Sequence, residues 1–180
     1  FGDERDAKLI AKNILKDRLL KEIDTPHLVK IIEKSKKRNN KKIHPATKVF
    51  QALRIFVNKE VTELIQGITN ASKLLKPGGK IIVVSFHSIE DKVIKYFFNN
   101  YSSNKSRPSR YLPENLNDNN FLFEKYDKKV FKPSSNEVSI NYASRSAKLR
   151  FAIRSKNNFS KPTDLFKKFR KYLEIEAINV

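Results

Sequence analysis

The chain has 180 residues, of which 39% are hydrophobic and 32% are charged, a composition typical of a globular domain with a buried core. Because cysteine is absent, disulfides, thiolate metal sites and cysteine nucleophiles are excluded. No apolar run approaches the ~20 residues that a membrane helix needs, and the N-terminus lacks a signal-peptide core. We therefore predict a cytoplasmic protein that makes no contact with a membrane.

The charge of the chain is strongly positive. Thirty-eight lysines and arginines stand against 19 aspartates and glutamates, which gives a formal net charge of +19 spread along the sequence. Phosphate backbones attract such a surface, so the charge favours a nucleic acid as partner. A surface adapted only for solubility is the alternative explanation.

The first part of the chain is predicted to be helical. Residues 4–20 repeat apolar side chains at helical spacing. Thr25-Pro26 predicts a second, short helix with Thr25 as its N-cap. The lysine-rich residues 34–42 form either a solvated loop or a phosphate contact. Residues 46–75 again keep helical spacing and predict one long helix or two abutting helices.

The middle of the chain predicts an α/β unit. Residues 76–79, K-P-G-G, are a strong turn signal, and residues 80–86, K-I-I-V-V-S-F, are apolar on both faces as in a buried parallel strand. Ser88 and Asp91 have the spacing of a capping box. The helix that they begin has an apolar stripe formed by Val93, Ile94, Phe97 and Phe98.

The last third mixes a loop, two strands and a helix. Residues 99–120 are predicted to be an exposed loop, and residues 121–126 and 149–154 an antiparallel pair of strands. Pro162 opens a helix whose apolar face would dock on the sheet, with contact to RNA as the alternative. That face consists of Leu165, Phe166, Phe169 and Leu173.

Ligands of open α/β sheets bind beyond the carboxyl ends of the strands, so the residues after the strand at 80–86 are the best-placed functional candidates. His87 either orients a substrate or transfers a proton, or it simply packs beside the strand end. Ser88 and Asp91 are better explained as parts of a helix N-terminus. The three histidines are far apart in the sequence, so we predict no metal site. The four glycines form neither a P-loop nor a dinucleotide-binding motif.

Four blocks of sequence, in this order, resemble the ribosomal RNA small-subunit methyltransferase H family, also called the MraW family. They are F-G-D-E-R (1–5), H-P-A-T-K-V-F-Q-A-L-R-I-F-V-N-K-E (44–60), L-K-P-G-G-K-I-I-V-V-S-F-H-S-I-E-D (75–91) and R-S-A-K-L-R (145–150). The resemblance covers residues 1–155. In the last block's region the family usually reads N-P-R-A-R-S, where this chain has N-Y-A-S-R-S at 141–146 and hence one arginine fewer.

The resemblance implies an α/β fold: the C-terminal part of a class I (Rossmann-like) methyltransferase sheet plus part of a helical insert domain. Residues 1–45 would be the end of the RNA-recognising insert, 46–157 the C-terminal half of the methyltransferase domain, and 158–180 an amphipathic helix and tail. The strand at 80–86 would be the fifth of the sheet, and the two late strands the sixth and seventh.

The resemblance also implies a function, the S-adenosylmethionine-dependent methylation of N4 of a cytosine in 16S ribosomal RNA of the small ribosomal subunit. The family's donor-binding residues precede Phe1, so no cofactor-binding residue is assigned here, and we expect the isolated chain to be inactive. A non-catalytic basic RNA-binding module is the alternative.

Site residues follow from the matched blocks. His87 and Ser88 are the predicted catalytic residues, because polar groups at a strand end can orient the cytosine amine. The predicted RNA contacts are Lys36, Lys37, Arg38, Lys48, Arg54 and Arg145. For Arg54 the alternative role is a salt bridge on the protein surface.

Overall fold

The structure, a computed structural model, describes residues 1–36, 44–103 and 121–178. The chain divides into two compact units, which we call the helical unit (Phe1–Glu60) and the sheet unit (Val61–Val180). The predicted domains at 1–45, 46–157 and 158–180 were assigned from the resemblance to the family, and they stay a prediction. The predicted loop at 99–120 lies, beyond Ser103, outside the described residues.

The helical unit contains α1 (Ala7–Arg18), α2 (Thr25–Ser35) and α3 (Thr47–Val57), at the places that the apolar spacing predicted. Its core is a cluster of buried residues with partly buried neighbours: Ile10, Ile14, Leu28, Val29, Ile32, Ala46, Val49 and Phe50. The predicted cap of α2 was wrong by one residue. Asp24 is the cap, because its carboxylate accepts a hydrogen bond from the backbone N–H of His27 at 2.8 Å.

The sheet unit contains most of α4 and all later elements. They are α4 (Glu60–Leu74), β1 (Lys80–Ser85), α5 (Ser88–Asn100), β2 (Phe123–Tyr126), α6 (Ser135–Ile140), a 3-10 helix (Tyr142–Ser146), β3 (Lys148–Arg154), α7 (Thr163–Lys168) and α8 (Arg170–Glu176). Residues 46–75 thus form two helices rather than one, and Lys59 between them has a positive φ of 52°. Within the described ranges, no helix has the length and apolar character needed to cross a membrane.

The three strands form an antiparallel sheet in the order β1–β3–β2. The predicted antiparallel pairing of the late strands is confirmed by β2 and β3. On the edge that the described residues pair, β1 is antiparallel to β3, so the parallel strand that the sequence suggested stays a prediction. Gly78, with φ of 78°, forms the predicted turn before β1, and its N–H bonds the carbonyl of Arg154 at 2.9 Å.

The two faces of the sheet differ. Ile81 and Ser85 of β1 are buried and Val83 between them is half-buried, whereas Ile82 and Val84 on the other face are 59% and 49% exposed. The prediction that this strand is buried on both faces was therefore wrong for the described part of the chain. The physical reason is that no described part of the chain buries Ile82 and Val84, and an apolar run alone does not show what covers it.

Helix α5 supplies the aromatic core beside the sheet. Its predicted stripe is confirmed, since Val93, Ile94, Phe97 and Phe98 are buried. The ring of Phe123 on β2 lies 5.4 Å from that of Phe97 and 5.3 Å from that of Phe98, in edge-to-face geometry. These rings hold α5 against the sheet.

The C-terminal segment forms two short helices, α7 and α8, where a single helix was predicted. Phe169 interrupts them and is buried with Leu165. The Phe169 ring packs edge-to-face on Tyr96 of α5 at 5.7 Å between centroids. The apolar face thus docks within the protein as predicted, although it packs on α5 where docking on the sheet was predicted, and burial of Phe169 accompanies the break between the helices.

The end of α8 is fastened to the beginning of α4 by one buried carboxylate. Glu176 is 1% exposed. Its oxygens accept hydrogen bonds from the N–H groups of Val61 at 3.1 Å and Thr62 at 2.8 Å, and from the Thr62 hydroxyl at 2.6 Å. A negative charge at a helix N-terminus satisfies amides that lack partners within the helix.

We expect Glu176→Ala to lower the free energy of unfolding by about 3 kcal/mol, because the variant leaves buried amides without an acceptor. Urea unfolding followed by circular dichroism measures the change. Glu174→Ala is the matched control, since Glu174 lies on the same helix in an exposed pair with Arg170 and should change stability by less than about 0.5 kcal/mol. Equal effects of the two substitutions would contradict the capping role of Glu176.

Candidate functional site

The carboxyl end of β1 is closed by a capping box that begins one residue earlier than predicted. His87 is the N-cap of α5, and its Nδ1 accepts a hydrogen bond from the backbone N–H of Glu90 at 3.4 Å. The Glu90 carboxylate in return accepts from the N–H groups of Phe86 at 2.8 Å and His87 at 3.3 Å. Ser88 is the first helical residue, so the predicted Ser88–Asp91 box was wrong.

The two predicted catalytic residues have different surroundings. The His87 side chain is 6% exposed, and its Nε2 lies 3.3 Å from a Glu90 oxygen. Since Nδ1 accepts a hydrogen bond, the proton of the neutral ring belongs on Nε2, where it faces this carboxylate. Ser88 is exposed at the helix N-terminus, and Phe86, two residues before it, is 56% exposed. The strand end thus presents a hydroxyl and an aromatic ring beside a buried imidazole.

Asp91 joins this strand end to β3. Its carboxylate accepts hydrogen bonds from Arg150 Nε at 2.8 Å and Lys148 Nζ at 3.2 Å. The guanidinium of Arg150, which is 5% exposed, also donates to the Tyr126 hydroxyl of β2 at 3.0 Å. The third and fourth sequence blocks, about 60 residues apart, therefore meet through charged side chains.

The charges of this network alter the titration of its members. Burial disfavours the charged form of Asp91, but the hydrogen bonds and charges of Arg150 and Lys148 outweigh it and hold the pKa of Asp91 below its ordinary value. Burial raises the pKa of the Tyr126 phenol. The aspartate is therefore ionised and the phenol is protonated at neutral pH.

The first two sequence blocks meet in the helical unit. A Cβ atom on Gly2 would lie 2.1 Å from the backbone oxygen of Lys48, so this contact requires glycine. Lys48 Nζ donates to the carbonyl of Asp3 at 3.0 Å. Glu4 forms an ion pair with Lys36 at 2.7 Å, with the two side chains 9% and 11% exposed.

Several predicted RNA contacts are engaged within the protein. Lys36 pairs with Glu4 and also donates to the Pro45 carbonyl at 2.6 Å. Arg54 binds both oxygens of Glu60, at 2.7 and 3.1 Å, which is the salt bridge considered as its alternative. The guanidinium of Arg145 lies over the exposed ring of Tyr142, 4.3 Å from the centroid. Lys37 and Arg38 lie outside the described residues, and contact of all six with RNA stays a prediction.

Two buried arginines of structural importance had no role predicted from the sequence. Arg150 and Arg154 are each 5% exposed and lie on the inner face of β3. Arg154 donates to the backbone carbonyls of Ser72, Leu122 and Asn157 at 2.8–3.2 Å. The available signal was their period-two placement in the strand L-R-F-A-I-R, which puts both on the same face as Ala152.

The residues described do not fit a methyl-donor cofactor. The only adjacent glycines, Gly78 and Gly79, precede β1, whereas sheet ligands bind after strands. Both glycines pair with the backbone of Arg154, and a Cβ on Gly79 would lie 2.8 Å from the Leu75 side chain. This turn is therefore occupied by packing between β1 and β3.

We expect Asp91→Asn to lower the free energy of unfolding by about 2–3 kcal/mol at neutral pH, since it leaves the buried Arg150 charge uncompensated. A depressed pKa stabilises the fold above the ordinary aspartate range, and this stabilisation is lost as the pH falls through the folded-state pKa. The difference between wild type and variant should therefore shrink on acidification. Urea unfolding between pH 7 and pH 3 tests this, with Asp164→Asn as an exposed control. A difference independent of pH would contradict it.

Comparisons with a family model and with known proteins point to the same family. The sequence model of the MraW methylase family matches residues 1–155. The chain is 42% identical over 159 residues to the ribosomal RNA small subunit methyltransferase H of Agrobacterium fabrum, covering 86% of this chain and 46% of the relative. The enzymes of that name from Rickettsia typhi and Rhizobium johnstonii are 42% and 45% identical, covering 84% and 86% of this chain and 50% and 46% of the relatives.

The chain thus spans about half the length of the curated relatives it matches. The family match covers all four sequence blocks, including both pairs that the structure brings together. The resemblance predicted from those blocks is confirmed, and the chain belongs to the MraW methylase family.

Proposed function

We propose that this chain forms part of an S-adenosylmethionine-dependent methyltransferase that modifies N4 of a cytosine in 16S ribosomal RNA. The observation that carries the proposal is the joining of two family blocks, S-F-H-S-I-E-D and R-S-A-K-L-R, by the Asp91–Arg150 pair at the strand end. The names of the relatives support ribosomal RNA of the small subunit as the substrate. The names do not state the modified base or the methyl donor, so N4 of cytosine and S-adenosylmethionine are the more specific part of the proposal.

The chain's role in that reaction would be to hold the target base. The N4 amine of cytosine is conjugated with its ring and is a poor nucleophile, so it must be oriented and its protons accepted as its lone pair becomes available. Phe86 offers an exposed ring for stacking of an unpaired base, and Ser88 a hydroxyl for a hydrogen bond. His87 would keep this turn in place through the capping box.

The donor would be held by residues that the other half of the family's sequence supplies. β1 is an edge strand of the described sheet, and Ile82 and Val84 leave its outer face apolar. The free edge of β1, with its unpaired backbone N–H and C=O groups, is suited to pairing with a further strand. We therefore propose that the sheet is the C-terminal part of a larger class I (Rossmann-like) sheet.

A chimera tests the proposal. It joins this chain to the part of the Rickettsia typhi relative that the alignment does not cover. We expect the chimera to transfer labelled methyl groups from S-adenosylmethionine to small ribosomal subunits from a strain that lacks this modification, and the isolated chain to transfer none. Mass spectrometry of the nucleosides should then show N4-methylcytidine in the 16S RNA.

Variants of the chimera test the strand end. Ser88→Ala should lower kcat about tenfold or more through loss of one oriented hydrogen bond. The control is Ser103→Ala, whose hydroxyl donates to the Glu124 carbonyl away from the strand end and which should leave kcat unchanged. Methyl transfer to another atom or to another RNA would contradict the proposal that the target is N4 of a cytosine in 16S RNA. A chain that binds RNA while the chimera remains inactive would favour the alternative, a non-catalytic RNA-binding module.

A further inference from the structure

The helical unit contains a cavity between α1 and α2, and none of the predicted RNA contacts within the described residues lines it. Its volume is about 330 Å³, within the range of small-ligand sites. The polar residues along its walls are Asn13, Asp17, Lys21, His27, Lys30 and Lys34. We call this cavity the α1–α2 groove.

Helix geometry explains why these side chains converge. Asn13 and Asp17 are four residues apart on α1 and share one side of it, and Lys21 lines the same groove from the turn just after the helix. Lys30 and Lys34 have the same spacing on α2, which places their Cβ atoms about 6 Å apart. Two rows of polar side chains therefore face each other across the groove.

The groove is positively charged, with three lysines against one aspartate. The Asp17 carboxylate is engaged with His27 Nε2 at 3.0 Å. Asn13 Nδ2 donates to the Ser35 hydroxyl at 2.8 Å, which ties the middle of α1 to the end of α2. Within the ranges that the structure describes, Lys21, Lys30 and Lys34 form no ion pair with a carboxylate.

This lack of partners distinguishes the groove from the predicted RNA contacts. The cationic groups of Lys36 and Arg54 already bind carboxylates, so an RNA phosphate would have to displace them. The groove lysines are exposed and need no such exchange. A lysine ammonium binds phosphate as a point charge and requires no fixed orientation, which suits a flexible strand.

We propose that the α1–α2 groove binds the phosphodiester backbone of RNA through Lys21, Lys30 and Lys34. The proposal rests on the proposed function for the identity of the polyanion, and it adds a binding site to the helical unit. Free phosphate shares this chemistry, but three cations along one open groove favour a polymer with successive charges.

Binding of a fluorescein-labelled single-stranded RNA oligonucleotide to the complete chain, measured by fluorescence anisotropy, tests the groove. We expect Lys30→Gln/Lys34→Gln to weaken binding roughly tenfold near 0.1 M salt and to reduce the slope of log K against log salt by about 1.4, the value for two phosphate contacts on a single strand. The control is Lys8→Gln/Lys12→Gln, which removes the same charge at the same spacing from exposed positions of α1 outside the groove. It should change affinity less than about twofold, as expected for charges without a direct phosphate contact.

Equal losses in the two double variants, no loss in either, or no RNA binding by the wild-type chain would each overturn the proposal. Displacement of the RNA by inorganic phosphate at equal concentrations of phosphate groups would show a site for the free anion and would also overturn it. The methyl-transfer assay of the chimera is independent. An active chimera with equal losses in the two double variants would refute the groove alone, and an inactive chimera with the expected selective loss would refute the proposed function alone.

Discussion

The buried charge of Arg150 imposes the main constraint on the sheet unit, because a guanidinium removed from water must keep its partners. Those partners are Asp91 at the start of α5 and Tyr126 on β2. Arg150 itself lies on β3, between the other two strands. A single side chain therefore links the helix to two strands and fixes where the carboxyl end of β1 lies relative to them.

The same principle organises the helical unit, where Glu4 and Lys36 form a largely buried pair. In the sheet unit the pair joins two family blocks, whereas in the helical unit Glu4 of the first block binds Lys36, which lies outside the blocks. Charge along the sequence indicated a polyanionic partner, but it did not show which cations are already neutralised. That distinction depends on contacts between residues such as Lys36 and Glu4, 32 positions apart, and so it required the structure.

Periodicity predicted most elements, since the helices and strands are amphipathic and their spacing is local. Single-residue errors arose where two registers fit one pattern: H-S-I-E and S-I-E-D both resemble a capping box, and only the backbone shows that His87 is the cap. The direction of pairing of β1 and the break at Phe169 depend on neighbours distant in sequence. The groove lysines were missed for the same reason, because their convergence needs two helices packed together.

A double-mutant cycle on Asp91 and Arg150 tests most directly whether the family blocks are held together by this pair. Unfolding free energies of the wild type, Asp91→Asn, Arg150→Met and the double variant give the coupling between the two side chains. We predict a coupling of about 2 kcal/mol, because the single variants each leave one buried partner unpaired. A coupling below about 0.3 kcal/mol, within the additivity of independent sites, would contradict the central role of the pair.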